Sequence, residues 1–487
     1  MNRPQARQVL SLLLAGLLIV LSWWGVYSTQ RGLDNRHFAV EGIPMQVVAP
    51  QQSGPHPGVL IAHGFSGSKQ LMLGYAHVLA HNGYSTLLWD LPGHGANAQP
   101  FVYDNLQHSF DVALAALQQQ PEVDLDRLAA VGHSMGGGVV LNGGIEHGDA
   151  LDAIVAISST DAPVTPELPK NLNLQLGAWE SYLLKYAQQL LIQAGGANSN
   201  LSEGKGRLLQ VIPAVEHATI LFSGVSHQAT LDWLNQTFDR ATVNPYKDRR
   251  MAWYGLHLLG WILIAAILLP PQKAIASSLQ CPQLRAGIGL LLSSVVAVLS
   301  LKVISLQTPI DSIGGLLIGG ALGVWMALAG LTWLGIMIGR SLPIVPQPTH
   351  SEIRTGIIGF VILWMGLGGI SQWVWLPWFL VPSRLLLWLA ITVACVPWFL
   401  ASGFAQEQGR LWQRLGWWLG QSLALILGLA ATIMLLPSLG FLGIMLPVFP
   451  VLIAIFSLIA AKASAWGYCF ACAPIFSWLI VTPFPLV

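Results

Sequence analysis

Charged residues are scarce in this chain of 487 residues, where aspartate, glutamate, lysine and arginine make up 9%, against about 25% in a typical soluble domain. The shortage is uneven. Of the 23 basic and 22 acidic residues, only 12 lie at or after position 251. This distribution predicts a soluble domain followed by a membrane region. No basic stripe is present, which argues against a nucleic-acid partner.

Cysteine is also rare, and none of the four cysteines precedes Cys281, so disulfides cannot report the compartment of the first half. Cys469 and Cys472 have the spacing of a redox or metal site. They lie in an apolar stretch without a second pair of ligands, so we interpret them as structural. The sequence predicts no metal and no cofactor.

Long apolar runs are abundant. Residues 9–27 carry no charge and follow Arg3 and Arg7, so residues 1–30 are predicted to be an N-terminal transmembrane anchor, with a cleaved signal peptide as the alternative. Residues 246–487 are predicted to be a multi-pass membrane domain of about eight helices. The predicted spans are 252–270, 284–306, 312–338, 354–372, 384–402, 414–436, 440–461 and 465–483.

The basic residues of the membrane domain favour one set of loops. With the N-terminus in the cytoplasm, most of these residues would lie in cytoplasmic loops, which is the positive-inside pattern. Lys302 and Arg384 lie near predicted span ends on the outer side. The region before the second span would then be extracytoplasmic, on a multi-pass protein of the cell membrane. Lys247, Arg249 and Arg250 depart from this pattern. The basic residues that follow it are Lys273, Arg285, Arg340, Arg354, Arg410, Arg414 and Lys462.

Residues 31–245 alternate between strand-like and helix-like segments. Such alternation predicts an α/β domain with a doubly wound, mostly parallel sheet. Residues 58–62 are continuously apolar apart from their first glycine, as in a strand buried on both faces. A closing helix is predicted over 230–238.

Three motifs follow predicted strands in this domain. They are His63-Gly64-Phe65, Asp90-Leu91-Pro92-Gly93-His94-Gly95 and Gly132-His133-Ser134-Met135-Gly136. The third has the form Gly-x-Ser-x-Gly and leads into a stretch of small residues. This is typical of a nucleophile elbow, in which a serine occupies a strained turn between a strand and a helix, and small neighbours leave room for it.

With these motifs in this order, residues 37–240 resemble the α/β-hydrolase superfamily, in particular its dienelactone hydrolase-like and serine aminopeptidase- or monoacylglycerol lipase-like members. The resemblance implies that Ser134 is the nucleophile. It also implies an oxyanion hole formed by the main-chain N–H groups of Met135 and Phe65. The predicted architecture is therefore an α/β-hydrolase domain joined to an all-α transmembrane helical bundle.

The general base and its acid partner are sought in the chain order Ser, Asp/Glu, His. His217 follows the last predicted strand directly and is the favoured base, while His227 is the alternative. Glu180 lies in the turn after the preceding strand, where the family usually has aspartate, and is the favoured acid. Asp161, after the strand before that, is the alternative.

The predicted function is that of a membrane-bound serine hydrolase acting on an ester, thioester or amide, lipid-like substrates included, through an acyl-serine intermediate. Two alternatives stay open. One is an acyltransferase with the same triad, and the other is a membrane transporter or assembly protein whose hydrolase-like domain only binds. The expected partners are the lipid bilayer and a small-molecule or lipid acyl substrate. The sequence identifies no protein partner.

Overall fold

The computed structural model describes residues 3–52, 54–159, 161–269, 282–339, 347–378, 380–407 and 409–487. Cys281, Lys273 and Arg340 lie outside these ranges. The chain forms two compact units. The sheet unit comprises Leu21–Gly255, Ile370–Phe379 and Pro485–Val487, and the helical unit comprises Met1–Val20, Leu256–Gly369 and Leu380–Phe484.

The sheet unit contains one eight-stranded sheet with the order β1-β2-β4-β3-β5-β6-β7-β8. β1 and β2 are antiparallel to each other, and β2 is antiparallel to β4. All other neighbours are parallel, which confirms the predicted fold class. The strands are β1 (Leu33–Val40), β2 (Ile43–Pro50), β3 (His56–Ala62), β4 (Ser85–Trp89), β5 (Val123–His133), β6 (Ala153–Ile157), β7 (Leu172–Gly177) and β8 (Arg207–Ile212).

Helices connect most of the parallel strands and cover the sheet, whereas β6 and β7 are joined without a helix. Every residue of β3, β4 and β6 is buried, as expected for strands covered on both faces. One core cluster joins Val59, Ile61 and Val131 of the sheet to Tyr75 and Leu234 of two helices. The first six helices of the chain are α1 (Arg3–Ser28), α2 (Leu73–His81), α3 (Asp104–Gln118), α4 (Met135–Glu146), α5 (Ser181–Gln193) and α6 (Gly224–Thr237).

The closing helix begins earlier than the predicted position 230. α6 begins at Gly224 because Ser223 caps it, its side chain accepting a hydrogen bond from the main-chain N–H of Ser226. His227 consequently lies inside the first turns of α6.

The remaining helices are strongly apolar. Among the described residues, seven helices are long and apolar enough to cross a membrane, and α1 is one of them. Two shorter apolar helices, α14 and α15, lie near the end of the chain. These helices are α7 (Arg250–Leu268), α8 (Gln283–Ile304), α9 (Gly319–Ile338), α10 (His350–Gly368), α11 (Leu385–Gln406), α12 (Leu411–Leu435), α13 (Leu442–Met445), α14 (Val448–Ala460) and α15 (Ala465–Val481).

Two of the predicted spans differ from the helices by more than a few residues. The segment 440–461 is divided into α13 and α14, with Pro447 at the cap of α14, because a proline lacks the N–H that a continuous helix needs. α9 begins only at Gly319, since Gly314 and Gly315 before it adopt positive φ.

Three cysteines lie in the helical unit as buried free thiols, Cys395, Cys469 and Cys472. The thiol of Cys469 donates to the carbonyl of Val396 at 3.6 Å. The burial of both thiols and the hydrogen bond of Cys469 agree with the interpretation of Cys469 and Cys472 as structural.

Candidate active site

Ser134 occupies the sharp turn between β5 and α4. Its backbone has φ 54° and ψ −119°, a strained conformation for a residue with a side chain. A Cβ atom at Gly132 would overlap the carbonyl of Gly136, and one at Gly136 would overlap the carbonyl of His63. Both glycines are therefore required by close backbone approach, and Ser134 lies at the N-terminal end of α4, as a nucleophile elbow needs.

The turn after β3 packs directly against this elbow. A Cβ atom at Gly64 would lie 3.0 Å from Cβ of Ser134. The main-chain N–H of Gly67 donates to the carbonyl of Gly64 at 3.0 Å, which closes the turn. Phe65 follows Gly64 in this turn, and Met135 is the first residue of α4. The structure therefore brings both predicted oxyanion-hole residues to the surroundings of Ser134.

Ser134, His217 and Glu180 form one hydrogen-bonded series. Nε2 of His217 lies 3.0 Å from Oγ of Ser134, and Nδ1 lies 2.7 Å from Oε1 of Glu180. An ionised carboxylate can only accept, so Nδ1 carries the proton and Nε2 of the neutral ring accepts from the serine hydroxyl. This tautomer is the one that general-base catalysis by His217 requires.

Glu180 is held from several directions. Its side chain is 1% exposed, and Oε2 accepts from Oγ of Ser158 at 2.7 Å and from the N–H of Gly177 at 2.6 Å. Burial acts to raise the pKa of Glu180, but the hydrogen bonds from His217, Ser158 and Gly177 together lower it below its ordinary value. The carboxylate is thus ionised and oriented at neutral pH.

Residues 53–237 match the family model described as "Serine aminopeptidase, S33". The match extends over most of the sheet unit and includes the elbow, the turn after β3 and the Ser134–His217–Glu180 series. The segment from β1 to α6 is an α/β-hydrolase domain.

Two curated relatives match parts of this domain. Epoxide hydrolase A of Mycobacterium tuberculosis is 31% identical over 133 residues, which are 26% of this chain and 38% of the relative. The 2,6-dihydropseudooxynicotine hydrolase of Paenarthrobacter nicotinovorans is 26% identical over 114 residues, which are 22% of this chain and 30% of the relative. The chain therefore spans less than two fifths of the length of each relative.

Solved structures of similar proteins include a dienelactone hydrolase from Anabaena variabilis, with 20% identity and a TM-score of 0.33. The similarity covers 42% of this chain and 97% of that one. A soluble variant of monoglyceride lipase from Saccharomyces cerevisiae has 13% identity and a TM-score of 0.33, with coverage of 42% and 95%.

His133 is a residue of the hydrolase domain whose contact the sequence did not predict. Its Nε2–H donates to the main-chain carbonyl of His217 at 2.9 Å, and the two rings lie 4.8 Å apart. Burial, and then the proximity of His217, lowers the pKa of His133 well below its ordinary value, so the ring stays neutral. His133 therefore fixes the loop that carries the candidate base. The position of His133 inside the Gly-x-Ser-x-Gly motif is the feature of the sequence that could have indicated a role beside Ser134.

The sequence also did not indicate the contact of Ser158 with Glu180. Ser158 follows β6 directly and donates to Glu180 from the carboxyl end of the neighbouring strand. Its position at the end of a parallel strand is the signal that could have indicated it, because functional side chains in such sheets gather at that edge.

A buried ion pair supports the turn after β3. The carboxylate of Asp90 is paired with the ammonium group of Lys69 and also accepts from the main-chain N–H of Lys69 at 2.9 Å. Burial acts to raise the pKa of Asp90, but the charges of Lys69 and His63 and the hydrogen bonds from Lys69 together lower it below its ordinary value. The nearby ring of His63 accepts from the N–H of Leu91 at 3.0 Å. Asp90 and His63 thus hold loops rather than joining the series at Ser134.

The two alternative site residues lie elsewhere in the hydrolase domain. The ring of His227 is buried in α6, where Nε2 donates to the carbonyl of Leu221 at 2.9 Å and the ring packs on Tyr75. Asp161 is exposed, and its Oδ1 accepts from the N–H of Ala162 at 3.0 Å. Neither residue is joined to Ser134 by the hydrogen bonds described above.

One group of three side chains among the described residues could hold a metal ion. Asp111, Glu146 and His147 have ligand atoms within 4.8 Å of one another. Glu146 is the last residue of α4, whereas Ser134 precedes the first, so this group lies at the opposite end of the helix from the elbow. His147 is already hydrogen-bonded to Asp111 at 2.8 Å.

Proposed function

We propose that this protein is a membrane-bound serine hydrolase that cleaves an ester, thioester or amide through an acyl intermediate on Ser134. The observation that carries this proposal is the hydrogen-bonded series from Glu180 through His217 to Ser134. A serine hydroxyl is a weak nucleophile at neutral pH and needs such an adjacent base. The elbow and the turn after β3 supply the other parts that acyl transfer needs.

The series supports a two-step reaction. Oγ of Ser134 attacks the substrate carbonyl while Nε2 of His217 accepts its proton, and Glu180 stabilises the resulting imidazolium. His217 then gives this proton to the leaving alcohol, thiol or amine as its bond to the acyl carbon breaks. In the second step a water molecule attacks the acyl-serine, His217 takes its proton, and the acid is released as Ser134 regains its proton.

The negative charge that develops on the carbonyl oxygen needs hydrogen-bond donors. The N–H groups of Met135 and Phe65 are the proposed donors, at the start of α4 and in the turn that packs on Ser134. The N-terminal end of α4 adds its dipole in the favourable direction. Loss of one such donor costs about 100- to 1,000-fold in kcat in other serine enzymes.

The aromatic surroundings of the site support an apolar substrate. The Phe65 ring packs on Phe101 at 5.8 Å, and the Phe101 ring packs on Tyr103 at 4.9 Å. Of these rings Tyr103 is exposed, and the indole of Trp179, which precedes Glu180 in the chain, is 68% exposed. Aromatic side chains that stay exposed near a reactive group offer large apolar contact area with a polar edge. A lipid-like acyl or alcohol group fits this chemistry.

A fluorophosphonate probe tests the nucleophile in the full chain, purified in detergent. Ser134→Ala is expected to lose all covalent labelling and about 1,000-fold or more of the hydrolysis of a p-nitrophenyl ester, because the attacking oxygen is gone. Ser159→Ala removes a nearby hydroxyl and should leave labelling intact.

The same samples separate the alternatives. Release of the free acid as the main product, even with an added alcohol, supports a hydrolase, whereas transfer of the acyl group to the alcohol supports an acyltransferase. A wild-type chain that resists the probe and hydrolyses no ester or amide would contradict the proposal and favour a binding-only domain.

A further inference from the structure

The loop between β4 and α3 forms the outer support of the turn that carries Phe65. The ring of Phe65 contacts the rings of His94 and Phe101, with centroids 5.6 Å and 5.8 Å away. Phe101 is only 8% exposed. The position of Phe65 therefore depends on where this loop, residues 90–101, holds two of its rings.

Leu486 pairs with both ends of this loop through its main chain. Its N–H donates to the carbonyl of Gly93 at 2.9 Å, and its carbonyl accepts from the N–H of Phe101 at 2.8 Å. Leu486 is 8% exposed, so these two bonds are largely shielded from water. Pairing with residues eight positions apart closes the loop and fixes Phe101 relative to Gly93.

Gly93 is the residue that admits this pairing. It adopts a φ of 75°, where a side chain is strained, and a Cβ atom there would lie 2.7 Å from the carbonyl oxygen of Leu486. Leu486 follows α15 in the chain, yet residues 485–487 belong by their contacts to the sheet unit. They also lie far beyond residues 53–237, which the family model matches. This support is thus added to the hydrolase domain from outside it.

We propose that Leu486 is a positioning residue for the oxyanion hole, acting through Phe101 on the turn that presents the N–H of Phe65. The inference rests on the proposed function, since it assigns Leu486 a part in acyl transfer at Ser134. A donor stabilises the oxyanion only when it lies within hydrogen-bond distance of the place where charge develops. A shift of Phe65 therefore weakens the transition state more than it weakens substrate binding.

Leu486→Pro is the decisive variant, because proline has no N–H to donate to Gly93. In the full chain in detergent, we expect kcat for a p-nitrophenyl ester to fall about tenfold with KM changed less than about twofold, as for partial loss of one donor. Val487→Ala, at the exposed neighbouring position, is the matched control and should keep both constants.

A double mutant checks the route of the effect. If Leu486 acts through Phe101, Leu486→Pro should lower kcat much less in a Phe101→Leu background than in the wild type. Additive losses would contradict this route. If Leu486→Pro does not fold, deletion of Leu486 and Val487 removes both hydrogen bonds of the pairing and replaces it in both measurements.

Hydrogen exchange provides a readout that does not need activity. Leu486→Pro should speed amide exchange in residues 63–69 and 91–101, while Val487→Ala should not. Unchanged exchange in residues 63–69 would overturn the proposed positioning role, as would faster exchange there with unchanged kcat. Ester hydrolysis that persists in Ser134→Ala would instead overturn the proposed function, and the exchange result would still decide whether Leu486 positions this turn.

Discussion

At the scale of single residues, the side chain of Glu180 has a demanding environment. Its two oxygens accept hydrogen bonds from His217, Ser158 and Gly177, and they donate none. A carboxylate suits this arrangement because it has no proton of its own to place. An amide would point an NH₂ group at one of these donors, and the orientation of the His217 ring would suffer.

The variant Glu180→Gln is therefore expected to lower kcat about 100- to 10,000-fold. The imidazolium loses its counter-charge, and the His217 ring is no longer held in the tautomer that accepts from Ser134. Initial rates of ester hydrolysis at pH 7.5 measure this effect. Asp161→Asn, at the alternative acid, should change kcat less than about twofold, as expected of a surface side chain. The reverse order of the two effects would make Asp161 the acid.

At the scale of elements, the β5–α4 turn depends on glycine for space. Gly132→Ala would force a Cβ atom into the carbonyl of Gly136, a backbone clash that no side-chain rotation relieves. We expect a loss of about 3 kcal/mol or more of stability, or a chain that does not fold. The thermal unfolding midpoint of the full chain in detergent reports this loss.

Gly224→Ala is the control for this variant. Gly224 is the first residue of α6, and a Cβ atom there would meet nothing within 4 Å. Alanine should keep the midpoint or raise it, because it restricts the unfolded chain and suits a helix. Equal losses in the two variants would show that space at the elbow is not the cause.

Helix α2 contains a buried histidine that makes stability depend on pH. Burial, and then the charge of Arg250, lowers the pKa of His77 to about 3. Asp248 acts in the opposite direction, and His81 adds to the lowering. In an unfolded chain a histidine has a pKa of about 6.5. Below this pH the unfolded state binds a proton that the folded state does not.

Stability is therefore expected to fall as the pH drops from about 6.5 towards 3, by about 1.4 kcal/mol per pH unit for this histidine. His77→Gln removes the proton site and should reduce the drop in unfolding midpoint between pH 7.5 and 5.5. His108→Gln, at an exposed histidine, should leave the drop unchanged. A drop of the same size in His77→Gln and the wild type would contradict the assignment.

At the scale of the whole molecule, charge distribution predicts orientation. Arg250 is one of the three basic residues that depart from the positive-inside pattern. It is buried and forms a salt bridge with Asp248 at 2.7 Å. Its guanidinium also donates to the carbonyl of Trp373 at 3.0 Å. This contact gives Arg250 a structural role in the sheet unit, and the three basic residues 247, 249 and 250 still depart from the pattern.

An extracytoplasmic hydrolase domain is the expected outcome, and exposed cysteines introduced one at a time test it in a Cys281→Ser background, in which Cys395, Cys469 and Cys472 are buried. Ser199→Cys, on the exposed connection between α5 and β8, should react with a membrane-impermeant maleimide in intact spheroplasts. Arg410→Cys, on the exposed connection between α11 and α12, should react only after lysis. Labelling of Arg410→Cys in intact spheroplasts, with Ser199→Cys protected, would reverse the topology.

Much of the fold could be predicted because it depends on local patterns. The apolar run at β3 and the alternation of strands and helices predict a parallel sheet, and the structure confirms it. Helix ends were less predictable. Ser223 caps α6, which begins six residues before the predicted position. Pro447 divides a predicted span. Both ends depend on single side chains and backbone angles rather than on a periodic pattern.

The sequence by itself determined the order of the elements, the division into an α/β domain and apolar helices, and the candidates Ser134, His217 and Glu180, because burial and turn chemistry depend on neighbouring residues. Only the tertiary structure decided which candidates meet. His217 contacts Ser134, 83 residues away in the sequence, and Glu180, 37 residues away. The ring of His227, in α6, is instead buried and hydrogen-bonded to Leu221. The pairing of Leu486 with Gly93 and Phe101 is of the same kind. Contacts between distant positions depend on how the sheet and loops return the chain to one place, and no local pattern carries that information.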